Sequence, residues 1–483
     1  MTVRTGQEFI DGLDDDREVW YGGQRVRKVA EFEEFKPSVT SLARLYDLQH
    51  DPSLSDVMTC ESADLGDVIA RPFEIPRTLS HLRLKRECYI AVAEATCGMM
   101  GRSPDFLNAM MASLAAKRSF FHECAPERAD AMVNYYKYIA QNDLFMTHAL
   151  LDPQLDKGKL RNEQSDPGTP LRVVDRNADG IIVDGIKRIA TSAPYADEIL
   201  VWPFPPTFLP GEEAYANVFA VPMNTKGLKT LCRRSFTNHG SRTDFPLSAQ
   251  FDEMDSTVVF DNVLVPWDRV FLHENTTFLN RMYKDTRMRE MTAHQTNSRL
   301  EVKLGFVYAL LVRMAAAAGT DNRSETMELL GEAALRVEVI RNTTRSAELQ
   351  AAVDSDNGVL YPDLPALQVG RALGPIYYPE MIAMIRKIGG GGLVQLPVSL
   401  DEFDSAIGPD LKKSLSGSSI GGLDKTRQMK LAWDLCGSEF GARHELYEMN
   451  YAGERGALLA SVNREYSRKQ DYLDLLDTFM AGL

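Results

Sequence analysis

The chain has 483 residues, 44% of them apolar and 25% charged, the balance of a soluble globular protein long enough for several domains with unstapled cores. Its formal charge of −14 is opposite to what displacing counterions from phosphates requires, so nucleic acid is excluded as an expected partner. No apolar run approaches the roughly 20 residues that span a bilayer. Met1 to Asp16 has no secretory apolar stretch, and Cys60, Cys88, Cys97, Cys124, Cys232 and Cys436 form no CxxC pair, so the expected location is cytoplasmic, with reduced thiols.

The first third reads as helical. Ser38 to Gln49 carries apolar residues at helical spacing and stops before Asp51-Pro52. Ser80 to Met100 predicts a second helix. Ser103-Pro104-Asp105 predicts a third, with Ser103 as N-cap and Pro at the first position, running to about Cys124. Pro126 to Asp143 follows.

The period changes after Leu151. Leu171 to Arg176, the turn Asn177-Ala-Asp-Gly180 and Ile181 to Asp184 predict a hairpin. Glu198 to Trp202, Ala216 to Val221 and Thr257 to Phe260 predict further strands, with a turn at Asp261-Asn262 leading into Val263 to Pro266. Such strands form a small barrel or sandwich. From about Met282 the chain is helical again: Thr292 to Ala318, Glu325 to Ala352, Ala366 to Ile388, and a fourth segment from Asp424 through Phe440. Four helices of that length predict a bundle. The expected class is α+β and acyl-CoA dehydrogenase-like: an N-terminal helical domain (1–145), a middle β-barrel domain (146–278) and a C-terminal four-helix bundle (279–483). In that architecture a flavin lies between the β domain and the bundle.

No GxGxxG follows a strand and no Walker A sequence occurs, so a Rossmann or P-loop site is unsupported. Gly417-Ser-Ser-Ile-Gly421 matches the GxSxG nucleophile elbow in letters, but that chemistry needs a preceding strand, and Pro409 to Leu415 reads as helix or loop. Gly389 to Gly392 reads as a helix stop, or alternatively as a place where backbone approaches a phosphate. His148, at the helical–β junction, His294, at the start of a long helix, and Arg102, just before a helix N-cap, are ordinary positions when taken singly.

Several stretches together resemble the 4-hydroxyphenylacetate 3-hydroxylase family. They are Arg4 to Ile10, Trp20 to Gly23, Leu45 to Pro52, Gly101-Arg-Ser-Pro-Asp105, Thr147 to Gln154, Pro246 to Glu253, Asp261 to Trp267 and Phe440-Gly-Ala-Arg-His-Glu-Leu-Tyr-Glu448. The resemblance implies the oxygenase component of a two-component monooxygenase. Such an enzyme takes FADH2 from a separate NAD(P)H:flavin reductase, uses O2 to form a flavin C4a-hydroperoxide, and hydroxylates a para-substituted phenol ortho to its hydroxyl.

It implies catalytic roles for Arg102, His148 and His294, and substrate contacts from Arg102, Phe106, His148 and Phe204. A lid is expected near Trp202 to Pro210. Flavin contacts are implied for His148, Ala149, Leu150, Gln154, Lys157, Thr191, Ser192, Phe440, Gly441 and Arg443, with Thr191 donating to the isoalloxazine and Arg443 meeting a phosphate. A homotetramer, a dimer of dimers in which a neighbour completes the flavin site, is also implied.

The chemistry suits these residue types. A phenol has a pKa of about 10, so its phenolate at pH 7 costs roughly 4 kcal/mol, which a cationic Arg and a neutral His lower. Two positions depart from the family: Phe106 stands where Tyr is usual, which removes a hydroxyl, and Lys157 stands where Arg is frequent.

Three other readings stay open at this point. A halophenol or nitrophenol monooxygenase would use the same chemistry and is compatible with Phe106. A 4-hydroxybutyryl-CoA dehydratase would need three cysteines and a histidine around an iron–sulfur cluster, and Gly98 to Ser103 contains no cysteine. A non-catalytic relative acting as a binding module would have no need of Arg102, His148 and His294.

Overall fold

The computed structural model describes residues 3–153, 155–156, 158–204, 207–451, 453 and 455–483. The chain opens with α1 (Gly6–Gly12), started by a capping box in which Thr5 and Glu8 exchange hydrogen bonds. Two strands follow, β1 (Glu18–Tyr21) and β2 (Gln24–Val26), joined at Gly22-Gly23, both at positive φ. That is a hairpin turn built on glycines, and it escaped the helical reading of the first third. The helices α2 (Lys36–Asp47) and α3 (Ser55–Met58), and a hairpin of β3 (Thr59–Ser62) and β4 (Asp67–Ala70), lead to α4 (Leu79–Ala95).

The helix expected from Ser103 to Cys124 is two helices, α5 (Pro104–Ala116) and α6 (Arg118–Cys124). Lys117 breaks it at φ −91, ψ 43, drawn to Asp354 at 2.7 Å and Asp356 at 3.3 Å. The break turns Phe120 and Phe121 into the core. No local breaker announces it, because the cause lies more than 200 residues downstream. Helix α7 (Pro126–Gln141) completes this part.

The β unit comprises β5 (Met146–Ala149), β6 (Arg172–Arg176), β7 (Gly180–Thr191), β8 (Glu198–Val201), β9 (Val218–Pro222), β10 (Leu228–Cys232), β11 (Asp255–Pro266) and β12 (Val270–Leu272). It forms two sheets, ordered β2-β1-β10-β11-β7-β6 and β12-β9-β8-β5. The first sheet borrows β1 and β2 from the N-terminal region, with β1 parallel to β10. The hairpin expected at 171–184 is present as β6–β7.

The turn expected at Asp261-Asn262 is instead a bulge inside one continuous strand. Asn262 takes φ 50 and the pairing with β7 shifts between Phe260 and Val263. Asn tolerates the left-handed region better than most residues, so the same dipeptide that favours a turn can serve a bulge.

Helix α8 (Thr276–Asp285) leads into the bundle of α9 (Met288–Ala318), α10 (Ser324–Leu349) and α11 (Leu364–Gly389). The 31 residues of α9 extend about 47 Å and pack on α4 and α5 of the N-terminal region as well as on α10, α11 and α13. Helix α11 ends at Gly389, and Gly390 adopts φ 49, so the tetraglycine acts as a helix stop. Helix α12 (Gly408–Ser414) precedes Gly417 to Gly421, so the elbow lacks its strand.

The fourth long segment is divided. Helix α13 (Gly422–Cys436) stops at Gly437, and Ser438 caps α14 (Glu439–Asn450) by accepting from the Gly441 amide at 2.9 Å. Helices α15 (Arg455–Glu465) and α16 (Lys469–Ala481) close the chain.

One buried cluster runs through all three regions, from Phe9 and Phe35 through Tyr195, Phe219 and Phe260 to Leu300, Met381 and Phe440. A second joins Met110, Phe121 and Tyr136 to Met146, Trp202 and Phe271. Each large side chain so buried contributes about 1.5–3 kcal/mol. Helix α5 packs against β5, and the candidate site lies at the start of that helix.

Candidate active site

Pro104 starts α5 at a position where a missing N–H costs nothing. Ser103 precedes it in extended conformation, but its hydroxyl donates to Asp105 Oδ1 at 2.5 Å and makes no side-chain cap. The expected N-cap is therefore one of position only. Arg102, one residue earlier, lays its guanidinium 4.2 Å from the centroid of the Phe106 ring.

The Phe106 ring stands edge-on to His148 of β5, at 5.8 Å and 83°. His148 in turn meets Trp202, just past β8, at 5.6 Å and 75°. Arg102, Phe106 and His148 were expected together, and the structure brings them into one continuous contact with Trp202 as the far wall.

His148 is 6% exposed. Burial first, and the Arg102 charge second, hold its pKa down at about 3. It is therefore a neutral imidazole at physiological pH. It can accept or donate a proton in a hydrogen bond but does not add a second positive charge beside Arg102.

Two residues not singled out from sequence complete the wall. Tyr447 of α14 accepts a 2.6 Å hydrogen bond from Arg102 Nη1, and Glu253 accepts from the Arg102 amide at 2.6 Å. Both lie in motifs that carry the family resemblance. Tyr447 stands one turn after Arg443 on the same face of a helix, a spacing that could have marked it.

His294 lies elsewhere. It is wholly buried in α9, with Nε2 2.8 Å from Glu348 Oε1 and its ring edge-on to Tyr89 at 5.7 Å. Arg86 donates to the same Glu348 oxygen at 2.8 Å. The connection to Arg102 is indirect: the next residue, Gln295, donates to Asp105 Oδ2 at 2.8 Å, and Asp105 accepts from Ser103. Burial raises the Asp105 pKa.

Phe204 also stands outside the Arg102–His148 contact. Its ring packs on Tyr283 at 5.7 Å, while its amide donates to Leu150 O at 3.2 Å. In the expected lid, Pro205 and Pro206 lie outside the described residues. Beyond them Phe208 is covered by the Arg161 guanidinium at 4.1 Å, and Arg161 pairs with Asp152 and Glu212.

The residues expected at a flavin fall into groups. Gln154 and Lys157 lie outside the described residues. Ala149 is in the core, and Leu150 O accepts from Lys187 Nζ at 3.2 Å. Thr191 donates to Asp255 Oδ1 at 2.8 Å. Phe440 is buried in the core, and the Gly441 amide is committed to its helix cap.

Arg443 does not present a free guanidinium to a phosphate. It donates to Asp255 at 3.0 and 2.8 Å and to Glu253 at 2.8 Å. Bidentate pairing satisfies it and makes it a strut between α14 and β11. Arg443, with Arg233 and Thr191, holds Asp255 well below the usual carboxylate range against the opposing effect of burial.

Ser192 differs from these. It sits at φ 63 after β7, and its buried hydroxyl has no partner among the described residues; the same is true of Trp202 Nε1. Both abut β5, through the Thr147–Thr191 hydrogen bond and the Ala149–Val201 pairing. Buried donors left unmet cost about 1–3 kcal/mol each, so these two atoms are where a ligand bearing hydrogen-bond acceptors would be compensated.

Sequence comparison gives an independent line. A profile described as 4-hydroxyphenylacetate 3-hydroxylase N terminal matches residues 5–272, and one described as its C terminal matches residues 279–481. A 4-hydroxyphenylacetate 3-monooxygenase oxygenase component from Thermus thermophilus is 36% identical, over 99% of this chain and 97% of that protein. The oxygenase component of a 4-nitrophenol 2-monooxygenase from a Rhodococcus species is 30% identical, over 94% and 87%. A crystal structure of a 4-hydroxyphenylacetate 3-monooxygenase oxygenase component, complexed with FAD and 4-hydroxyphenylacetate, superposes with a TM-score of 0.94 at 35% identity, covering 99% of this chain and 98% of that one.

Proposed function

Because the chain belongs to the 4-hydroxyphenylacetate 3-hydroxylase family, we propose that it is the oxygenase component of an FADH2-dependent monooxygenase acting on a para-substituted phenol. The observation that carries this reading is the contact of the half-buried Arg102 with buried Phe106, His148 and Trp202. It offers one fixed cation, one neutral base and two aromatic walls, which are the groups an aromatic ring bearing an ionisable hydroxyl requires.

When bound, reduced flavin with O2 supplies the oxidising equivalents, so that phenol, O2 and reduced flavin give catechol, water and oxidised flavin. The protein's own residues do the rest. Arg102 stabilises negative charge on the phenol oxygen, and neutral His148, too weak a base at a pKa of about 3 to carry the proton, accepts a hydrogen bond from the hydroxyl and orients it. Phe106 and Trp202 exclude water from the ring face. Ser192 and Trp202 offer unmet donors to the flavin. The Phe204 segment is the proposed lid. His294, expected to be catalytic, is held by Glu348 away from Arg102, so its proposed role is to fix α9, whose Gln295 holds Asp105 beside the site.

The proposed domains are those expected from sequence: 1–145, 146–278 and 279–483. Reduced flavin would come from a separate reductase. The proposed assembly is a homotetramer, a dimer of dimers in which a neighbour completes the flavin site. Its support is α16, on which Leu473, Leu475, Leu476, Phe479 and Met480 are all exposed. Among the described residues no helix is long and apolar enough to cross a membrane. A cytoplasmic location is proposed on the composition and charge.

The position of Phe106 favours a second substrate reading. It touches both Arg102 and His148 and offers no hydroxyl, so a substituted phenol such as 4-nitrophenol remains a candidate.

The test is a panel of para-substituted phenols with FAD, NADH and a generic flavin reductase, read by product mass. An ortho-hydroxylated product is expected, and it should disappear in Arg102→Ala and His148→Ala while the circular dichroism spectrum is unchanged. Equal product yield in both variants would remove these residues from the active site.

A further inference from the structure

The guanidinium of Arg102 is anchored by hydrogen bonds as well as by Phe106. It donates to Gly101 O at 3.2 Å, Tyr451 O at 3.4 Å and Tyr447 Oη at 2.6 Å. The bond to Tyr447 is the shortest of the three. A guanidinium has donors only, so the phenol oxygen must be the acceptor.

The approach of Tyr447 depends on Gly101. A Cβ at that position would lie 2.2 Å from Tyr447 Oη and 2.4 Å from Cζ, so no other residue leaves room for the ring. Tyr447 is fixed in turn by its own helix, with the Arg443 guanidinium 5.0 Å from its centroid and the Tyr451 ring stacked at 5.8 Å and 16°. Glu253 takes the Arg102 amide on one oxygen and Arg443 on the other. Backbone and side chain of Arg102 are thus both tied to α14.

We infer that Tyr447 is a positioning residue: its hydroxyl holds the Arg102 guanidinium in one orientation across the Phe106 ring, aimed at the phenol oxygen, and Gly101 is glycine so that it can. The cation–π contact with Phe106 is weakly directional, and the bonds to Gly101 O and Tyr451 O are long, so they leave the guanidinium room to turn. The 2.6 Å hydrogen bond to Tyr447 narrows that rotation. The inference rests on Arg102 being the phenol-binding cation.

The test uses 4-nitrophenol as a chromophoric probe with the full chain, no reductase present. Its ionised fraction on the protein is read from the phenolate absorption band across a pH titration. The wild type should bind the phenolate preferentially and lower the probe's pKa. Tyr447→Phe should raise that pKa toward the free value and weaken phenolate binding roughly tenfold, as the Arg102–phenolate hydrogen bond loses its alignment. Gly101→Ala should do the same by displacing the ring, and adding it to Tyr447→Ala should change nothing further.

A wild type that leaves the probe's pKa unchanged would overturn the assignment of Arg102 as phenol-binding, and the inference with it. A wild type that shifts the probe, with Tyr447→Phe titrating identically, overturns the role of Tyr447 alone. If Tyr447→Phe does not fold, Tyr447→Gln, which keeps an acceptor, is compared with Tyr447→Leu, which has none. A larger pKa shift in the former supports the role, and equal shifts overturn it.

Discussion

Arg299 meets Glu448 in a bidentate pair at 2.7 and 2.9 Å, and neither side chain reaches solvent. Lys303 donates to the same carboxylate at 2.8 Å and lies 3.2 Å from His444 Nδ1. This charged knot sits one residue along α14 from Tyr447, so it anchors the wall behind Arg102. Burial opposes ionisation of Glu448, yet its two cations hold its pKa at about 2, and burial lowers that of Lys303 to about 8.

Glu448→Gln should therefore be strongly destabilising. It leaves Arg299 and Lys303 buried without a counter-charge, a situation that costs about 3–5 kcal/mol. Urea unfolding at pH 7 checks this, and a loss below about 1 kcal/mol would mean that water or a chloride ion replaces the carboxylate.

His148 should impose an acid limit on stability. Its folded pKa of about 3 lies below the unfolded value near 6.5, so between those pH values the unfolded chain binds the extra proton. The stability is fully present above about pH 6.5 and is lost as pH falls toward 3. Replacing His148 by Gln removes that slope. The measurement is the urea midpoint of both proteins at pH 5 and pH 7, and parallel falls would show that His148 takes no part.

Asp143 works in the opposite direction. Burial lifts its pKa to about 6, even though Gln49 and Arg4 donate to it. The folded state holds the proton that the unfolded state has released, so stability declines as pH rises from about 4 through 6. Asp143→Asn should flatten this decline and be more stable than wild type at pH 7.5, by up to roughly 3 kcal/mol. Identical denaturation curves at pH 7.5 would contradict it.

Removing residues 469–483 should reduce the mass in solution measured by light scattering while leaving the circular dichroism of the remaining helices in place. The segment covers little of its own subunit and exposes an apolar face. An unchanged mass would show that α16 does not hold the assembly.

Much of the architecture was legible because periodicity reports burial. The bundle helices α9, α10 and α11 begin and end within a few residues of their expected bounds. What was not legible was set by contacts distant in sequence. The break at Lys117 answers to Asp354, and the bulge at Asn262 answers to the pairing of β11 with β7.

The site divides in the same way. Arg102, Phe106 and His148 belong to segments with a recognisable family pattern, and they meet. Arg443 carries the same pattern, but its charge is consumed by Glu253 and Asp255, which no spacing predicts. Tyr447 is the reverse case, an unremarked residue that becomes important only when α14 is laid against Gly101.

The parallel pairing of β1 with β10 joins Glu18 to Lys229, residues about 210 positions apart. During synthesis the first strand leaves the ribosome long before its neighbour exists, at roughly 5–20 residues per second. For at least ten seconds or so an apolar strand edge waits unpaired, exposed to other chains. Expression yield should therefore respond to slower synthesis, lower temperature or a chaperone that covers the N-terminal hairpin, and a fusion partner should be better tolerated at a site away from that strand.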